Sequence, residues 1–203
     1  MVGYNAVDAG AGQITSILIH TDEVLASRNR PAVTSQDSGS YAWLRMDAAA
    51  LLKACREERY RASGPGGQRR NKVETAVRLR HPPTGLTAQA EESRYLQENR
   101  IRALRRLRER MALELRTPFD LEAPPLPPEF LAQRGPKGSL SVNPRNPAYP
   151  IVLATVLDAL EAAKGSYAKA AQALGLTTSQ LLRFLRSDPQ AWRLVGQAQR
   201  PHA

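Results

Sequence analysis

The sequence has very little of what would mark a secreted, membrane-spanning or disulfide-bonded protein. Cys55 is the single cysteine among 203 residues, which excludes a disulfide within the chain and leaves a buried thiol as the expectation. The longest apolar runs, such as residues 151–157, are too short to cross a bilayer. The N-terminal residues lack the pattern of a secretion signal, so we expect a cytoplasmic protein with no membrane partner.

Residues for metal or nucleophilic chemistry are equally scarce. The three histidines, His20, His81 and His202, are widely separated, and no cluster of His, Cys and carboxylates has the spacing of metal ligands. No Ser, His and Asp set can be assembled, and the phosphate-binding sequence GxxxxGK[ST] is missing. We therefore expect neither a metal nor any other cofactor.

Positive charge, in contrast, is abundant and unevenly distributed. The net charge is +10, and residues 41–120 alone carry 18 Lys and Arg against ten Asp and Glu. A local basic excess is typical of proteins that bind a polyanion, most often nucleic acid. It is equally compatible with a solvated helix face, and charge alone does not separate the two readings.

Local patterns predict an α+β region followed by helices. Residues 1–40 have no hydrophobic period and read as a disordered leader, and Asp47 is a good cap for a short helix. Strands are expected in the segments REERYRAS, ETAVRLRH and LTAQA, the last two joined by the turn at residues 81–85. A long helix is expected from Glu92 to about Arg116. Its apolar stripe is Ile101, Leu104, Leu107, Met111 and Leu115, and its arginines face solvent.

Six prolines within residues 117–138 predict a semi-rigid, extended linker. Beyond it, helices are expected after Pro150, after the cap Ser166, through TTSQLLRFLRS and after the Asp188-Pro189 pair. The predicted organisation is a leader at 1–40, an α+β domain at 41–116, a linker at 117–138 and a helical domain at 139–203.

The segment SGPGGQRRNK, residues 63–72, is the most informative stretch. Gly66 and Gly67 lack Cβ atoms, so the backbone can approach a large ligand closely. Gln68 is neither a base nor a nucleophile, but it offers a backbone N–H and a side-chain amide that can orient water. Such groups suit a reaction in which positioning and oxyanion stabilisation supply the rate. Cations beside it would contact phosphates.

This segment and its flanks resemble the GGQ catalytic domain of the class I peptide chain release factors. The resemblance rests on RASGPGGQRRNKVETAVRLRHPPTGL, residues 61–86, and on Arg94 and Asn99 at the start of the long helix, and it covers about residues 47–116. It implies that Gly66, Gly67 and Gln68 are catalytic and that the partners are peptidyl-tRNA and the peptidyl-transferase centre of 23S ribosomal RNA. It also makes Gln68 a candidate substrate for a glutamine methyltransferase.

The length leaves no room for the family's codon-reading domains, which favours the short, codon-independent members that rescue stalled ribosomes. Those members usually end in a Lys/Arg-rich tail, whereas this chain ends with only Arg193 and Arg200 in its last segment. The family's Ser-Gln after the arginine is replaced by Tyr95-Leu96, so different local contacts are expected.

Residues 165–187 resemble the helix-turn-helix of Fis-type DNA-binding proteins. Ala170, Ala171 and Leu174 would pack the first helix, Gly175 would make the turn, and Leu182 and Leu185 would anchor the second. Leu181 and Phe184 make that second helix more apolar than most reading helices. The exposed positions would be Thr178, Ser179, Gln180, Arg183 and Arg186. A helical bundle that serves only packing is the other reading.

The sequence thus predicts a monomeric peptidyl-tRNA hydrolase that acts on the ribosome. Two alternatives stay open: a non-catalytic helix-turn-helix protein on a release-factor scaffold, and a factor specific for split large subunits. The predicted RNA-binding residues are Arg61, Arg69, Arg70, Asn71, Lys72, Arg94, Arg100, Arg105, Arg183 and Arg186.

Overall fold

The computed structural model describes residues 40–61, 73–135 and 139–198. Within these ranges the chain is a mixed α/β protein with one three-stranded sheet and eight helices. The strands are β1 (Arg56–Tyr60), β2 (Ala76–Arg80) and β3 (Thr87–Ala90). The helices are α1 (Ser40–Arg45), α2 (Ala48–Lys53), α3 (Leu96–Glu114), α4 (Pro128–Leu131), α5 (Tyr149–Ala162), α6 (Tyr167–Leu174), α7 (Thr178–Ser187) and α8 (Pro189–Ala198). Of the predicted leader, residues 1–40, all but Ser40 lie outside the described residues, and α1, which begins at Ser40, was not predicted.

The sheet is antiparallel throughout, in the order β1-β2-β3. Tyr60 pairs with Ala76 and Arg56 with Arg80, while Val77 pairs with Ala90. Because side chains alternate along a strand, Val77, Leu79, Ala88 and Ala90 are buried on one face of β2 and β3, and Arg78, Arg80 and Gln89 are exposed on the other. All three predicted strands are confirmed.

The turn between β2 and β3 is closed by its own backbone. The carbonyl of His81 accepts from Gly85 N at 2.8 Å, and His81 N donates to the Leu86 carbonyl at 2.8 Å. Gly85 has φ of +72°, the left-handed region that glycine adopts most easily. Nδ1 of His81 lies 2.9 Å from the Thr84 hydroxyl, and Trp43 packs edge-on against the buried ring. The predicted turn is confirmed, and His81 belongs to its packing.

Helix α3 covers the apolar face of the sheet, but it begins at Leu96, four residues later than predicted. Its buried residues are Asn99, Ala103, Leu104, Leu107, Met111 and Ala112. Ile101 was predicted to lie in this stripe and does not, since its side chain is 68% exposed. Asn99 takes the inward position at that turn, which leaves Ile101, two residues later, facing solvent.

The segment predicted to be an extended linker contains no helix or strand over residues 117–127, but it is helical at residues 128–131 and contributes to the core there. Pro128 begins the one-turn helix α4, where its missing N–H is not needed. Phe130 in that turn is fully buried. Glu129 receives two hydrogen bonds from Arg45 of α1, at 2.8 and 2.9 Å. The predicted domain boundaries stay a prediction.

The C-terminal helices begin and end where the caps predict. The Ser166 hydroxyl accepts from Lys169 N, and Gly175 ends α6 with φ of +64°. Thr177 and Gln180 form a capping box at the start of α7, and the Asp188 carboxylate accepts from Gln190 N and Ala191 N of α8. Buried side chains from the sheet, α3, α4 and α5–α8 form one continuous apolar cluster. Among the described helices none is long and apolar enough to cross a membrane.

Candidate functional site

The two strands that flank the glycine-rich segment form one hairpin. Because β1 ends at Tyr60 and β2 begins at Ala76, directly opposite, residues 61–75 connect two adjacent strand ends. Seven predicted site residues lie outside the described residues: Gly66, Gly67, Gln68, Arg69, Arg70, Asn71 and Lys72. Their contacts therefore stay a prediction, and the structure defines what holds the ends of their segment.

Asn99 fastens the chain after this segment to the start of α3. Its buried side-chain amide donates to the carbonyls of Thr75, at 2.7 Å, and Ser93, at 2.8 Å. Its Oδ1 accepts from Ser93 N at 2.9 Å. Only an amide supplies two donors and an acceptor in this arrangement. From the sequence, Asn99 was predicted only as part of the motif at the start of the long helix, without a role of its own. A lone Asn in an otherwise apolar helix stripe was the available signal.

Arg61 and Arg94 stand near the two ends of this arrangement. Arg61 makes only a loose ion pair with Glu74 across the hairpin, 3.7 Å between Nε and Oε1, with both side chains more than half exposed. Such a pair contributes little and leaves the guanidinium accessible. Arg94 stacks over the ring of Tyr95 with its Cζ 4.8 Å from the ring centroid. Both side chains are exposed, and their contacts with RNA stay a prediction.

Arginines of α3 reach solvent as predicted, but five of them, Arg100, Arg102, Arg105, Arg106 and Arg110, also have an acidic partner. Arg100 donates to both oxygens of Glu57, at 2.7 and 2.8 Å, and these bonds lower the pKa of Glu57. Arg105 is 3.6 Å from Glu109. The remaining pairs are Arg102 with Glu98, Arg106 with Glu92 and Arg110 with Glu114. The positive field of α3 is therefore largely compensated, and an RNA role for Arg100 and Arg105 stays a prediction.

Two of these arginines also donate hydrogen bonds to backbone carbonyls of β3, the strand at one edge of the sheet. Arg106 Nη1 donates to the Gln89 carbonyl at 2.7 Å, and Arg110 Nη1 donates to the Thr87 carbonyl at 2.6 Å. An open edge strand can template pairing with another chain, and covered carbonyls oppose this. These side chains border a polar groove of about 570 Å³ that Gln190 of α8 also lines.

Helix α7, the second helix of the predicted helix-turn-helix, packs most of its large apolar side chains into the core. Leu181, Phe184 and Leu185 are buried, so the apolar side chains that looked exposed belong to the core, whereas Leu182 is half-buried. Arg183 and Arg186 are exposed, as predicted, and Arg186 stacks on Trp192 of α8 with its Cζ 5.1 Å from the ring. The Gln180 side chain accepts from Thr177 N at 3.0 Å within the capping box.

A buried polar cluster joins α1, the end of α3 and α5. The Asp158 carboxylate accepts from the Tyr41 hydroxyl at 2.9 Å and from Thr117 N at 3.2 Å. Burial raises the pKa of Asp158 to about 6, although the Thr117 amide and the charge of Arg116 oppose the rise. Burial likewise lowers the pKa of Arg116. This cluster ties the C-terminal helices to the N-terminal region.

Cys55 is partly buried, and this burial raises the pKa of its thiol to about 11. The thiol is therefore protonated at neutral pH and a poor nucleophile. Among the described residues no three His, Cys, Asp or Glu side chains are grouped so that they could hold a metal ion.

Comparison with known proteins finds similarity over the hairpin and α3. Residues 48–120 match the RF-1 domain, the domain of the class I release factor family. Over 60 residues the chain is 50% identical to peptide chain release factor 1 of Streptococcus thermophilus, strain ATCC BAA-491 / LMD-9. It is 48% identical over 60 residues to the proteins of the same name from Streptococcus agalactiae and Streptococcus pyogenes serotype M5.

These alignments cover 30% of this chain and 17% of each relative. No solved structure matches the chain. The similarity therefore concerns the sheet, α3 and the segment between β1 and β2, and it does not reach the helices after residue 120.

Proposed function

We propose that the protein hydrolyses the ester bond of peptidyl-tRNA in the peptidyl-transferase centre of the ribosome, without recognising a stop codon. The observation that carries the proposal is the match of residues 48–120 to the RF-1 domain, with Gly66-Gly67-Gln68 inside the matched segment. In this reaction water adds to the ester carbonyl, and the terminal ribose hydroxyl of the tRNA leaves.

The proposed roles follow from the chemistry of the residues. Gly66 and Gly67 allow the backbone to approach the ester, and the Gln68 N–H donates to the oxyanion of the transition state. One such donor contributes about 10²–10³-fold in rate. The Gln68 side chain orients the attacking water and excludes larger nucleophiles. Contacts with RNA phosphates are assigned to Arg61, Arg69, Arg70, Asn71, Lys72 and Arg94.

The surroundings of the segment support this assignment. A catalytic backbone amide needs a rigid base, because a small displacement of the reacting groups costs much of the rate. The β1–β2 hairpin sets the separation of the segment's ends, and Asn99 ties the Thr75 carbonyl to α3. The bidentate pair between Arg100 and Glu57 fastens β1 to the same helix.

The codon-independent type is proposed because the matched region is one catalytic domain followed by helices that the match does not include. The protein would act as a cytoplasmic monomer on stalled ribosomes, and Gln68 would be available to a glutamine methyltransferase. Binding to ribosomal RNA would weaken steeply with salt.

The test is peptide release from ribosomes that hold peptidyl-tRNA on a truncated messenger, comparing the wild type with Gly67→Ala. We expect rapid release that the substitution reduces at least about 100-fold, since a Cβ blocks the close approach of the backbone. Isolated large subunits carrying peptidyl-tRNA form a second arm, which separates a rescue factor for whole ribosomes from one for split subunits. Absence of release in both arms would refute the enzymatic function.

A second candidate is a non-catalytic protein in which α6 and α7 bind duplex DNA as a helix-turn-helix. It is favoured by the left-handed Gly175 between two capped helices and by the exposed Thr178, Ser179, Arg183 and Arg186. Binding of the full-length protein to duplex DNA, compared with Arg183→Ala, distinguishes the two. Tight duplex binding without peptide release would favour this candidate.

A further inference from the structure

The face of the sheet opposite α3 carries two arginines in direct cross-strand register. Arg56 of β1 pairs with Arg80 of β2, and both side chains are exposed. Side chains of directly opposite residues start from Cβ atoms only about 5 Å apart, and like charges at such positions destabilise a sheet. Within the described part of the chain neither arginine has an acidic partner. Thr87 of β3, next in the row, adds no charge.

The neighbouring row on the same face is compensated. Arg78 of β2 is opposite Glu58, with Nη1 3.5 Å from Oε2, and opposite Gln89, with Nε 3.4 Å from Oε1. Its guanidinium also stacks over the ring of Tyr60, at 5.3 Å from the centroid. One strand therefore presents two outward arginines in different surroundings: the guanidinium of Arg78 has an acidic partner and a ring beside it, whereas Arg80 is opposite a second cation.

We infer that Arg56 and Arg80 form a phosphate-binding row that holds the backbone of single-stranded RNA on the open face of the sheet. Two guanidinium groups on directly opposite residues offer planar N–H pairs, which match the oxygens of a phosphodiester. A bound phosphate would also remove the repulsion between the two cations. The row lies at the end of the hairpin away from the glycine-rich segment. Four residues at about 3.3 Å each place it about 13 Å behind the strand ends.

The choice of RNA over another polyanion rests on the proposed function, but the binding itself does not require catalysis. The site would anchor RNA behind the hairpin while the segment between β1 and β2 reaches forward. The side chains involved are long cations without base-reading partners, so the contact would carry affinity and little sequence preference.

The experiment compares Arg80→Gln with Arg78→Gln in the full-length protein. Both variants remove one positive charge from the same face of the same strand, so a change in net charge affects them equally. The probe is a short fluorescein-labelled single-stranded RNA, titrated by fluorescence anisotropy over a range of salt concentrations. Thermal unfolding of each variant without RNA is the second readout.

For Arg80→Gln we expect the affinity for RNA at low salt to fall about 3- to 10-fold. The negative slope of log K against log salt should become shallower by about 0.7. Its Tm should not fall, and a rise of about 1–3 °C is expected as the repulsion is relieved. Arg78→Gln should keep the RNA affinity within about twofold of the wild type, and its Tm should stay equal or decrease.

Equal loss of RNA affinity in the two variants, or none in Arg80→Gln, would overturn the site. In the anisotropy assay, unlabelled RNA and inorganic phosphate are compared as competitors at equal phosphate concentration. Inorganic phosphate that displaces the labelled RNA as well as unlabelled RNA does would overturn the assignment to a nucleic-acid backbone. A wild type that binds RNA through Arg80 yet releases no peptide would refute the proposed function and leave this site intact.

Discussion

Replacing Asn99 tests whether one buried amide holds the base of the segment that we propose to be catalytic. Asn99→Ala leaves the carbonyls of Thr75 and Ser93 and the Ser93 N–H without their partner. A buried polar group left unsatisfied costs about 1–3 kcal/mol. Water can reach part of these groups, because Thr75 and Ser93 are half-exposed. We therefore expect a loss of about 2–4 kcal/mol, which lowers Tm by about 5–15 °C in a chain of this size.

The substitution Asn99→Asp makes the test sharper. It keeps the size of the side chain and one acceptor for Ser93 N, but it points carboxylate oxygens at two carbonyls. It should destabilise at least as much as Asn99→Ala. In the release assay both variants should release peptide about 10- to 100-fold more slowly under conditions where they are folded. The reason is that Thr75, where the segment between β1 and β2 ends, is no longer held to α3.

The matched control is Asn143→Ala. This exposed asparagine accepts one hydrogen bond from Arg145 N at 2.8 Å, so its loss should cost less than about 1 kcal/mol. Thermal unfolding followed by circular dichroism measures all three variants. Equal Tm values for Asn99→Ala and Asn143→Ala, or an Asn99→Asp variant as stable as the wild type, would refute the role assigned to Asn99.

Three further predictions concern stability. Asp158→Asn should gain stability relative to the wild type between pH 4 and pH 7. The pKa of Asp158 is raised from 3.8 to about 6, so the free energy of unfolding of the wild type falls by up to about 3 kcal/mol as pH rises through this range. In chemical unfolding, a difference between variant and wild type that does not change with pH would contradict this. Phe130→Ala should cost about 3–5 kcal/mol in urea unfolding, since the ring is fully buried; a cost below about 0.5 kcal/mol would mean that the segment is a free linker. Gly175→Ala should lower the free energy of unfolding by about 1–2 kcal/mol, because φ is +64° and the new Cβ would lie 2.7 Å from Nη2 of Arg134. Gly85→Ala, with φ of +72° and no atom within 4 Å, isolates the backbone strain, and an equal loss would show that Arg134 moves aside freely.

Local chemistry in the sequence predicted most of the elements and their ends. Asp47, Ser166 and the Thr177-Gln180 box each satisfy backbone groups within three residues, so their effect can be read without knowing the fold. The same holds for the left-handed glycines at 85 and 175. Alternating residues predicted all three strands for the same reason, since the pattern of a strand is contained in the strand.

The sequence also predicted the class of site, because the residues that carry the match lie within one contiguous stretch. It could not predict which arginines are available. Arg100 is hydrogen-bonded to Glu57, which is 43 residues away in the sequence, and Tyr41 to Asp158, which is 117 residues away. These partners become neighbours only when the sheet, α3 and α5 pack together.

Packing also decided the outcomes that composition and periodicity suggested wrongly. Phe130 is buried despite the surrounding prolines, since α5 offers an apolar surface for it. Ile101 is exposed despite its helical spacing, because Asn99 holds the inward position by binding Thr75. The sequence by itself determined most of the elements and identified the glycine-rich segment proposed to be catalytic, because their signals are local. Tertiary structure alone decided which cations stay uncompensated, because an ion pair depends on where the chain brings the opposite charge.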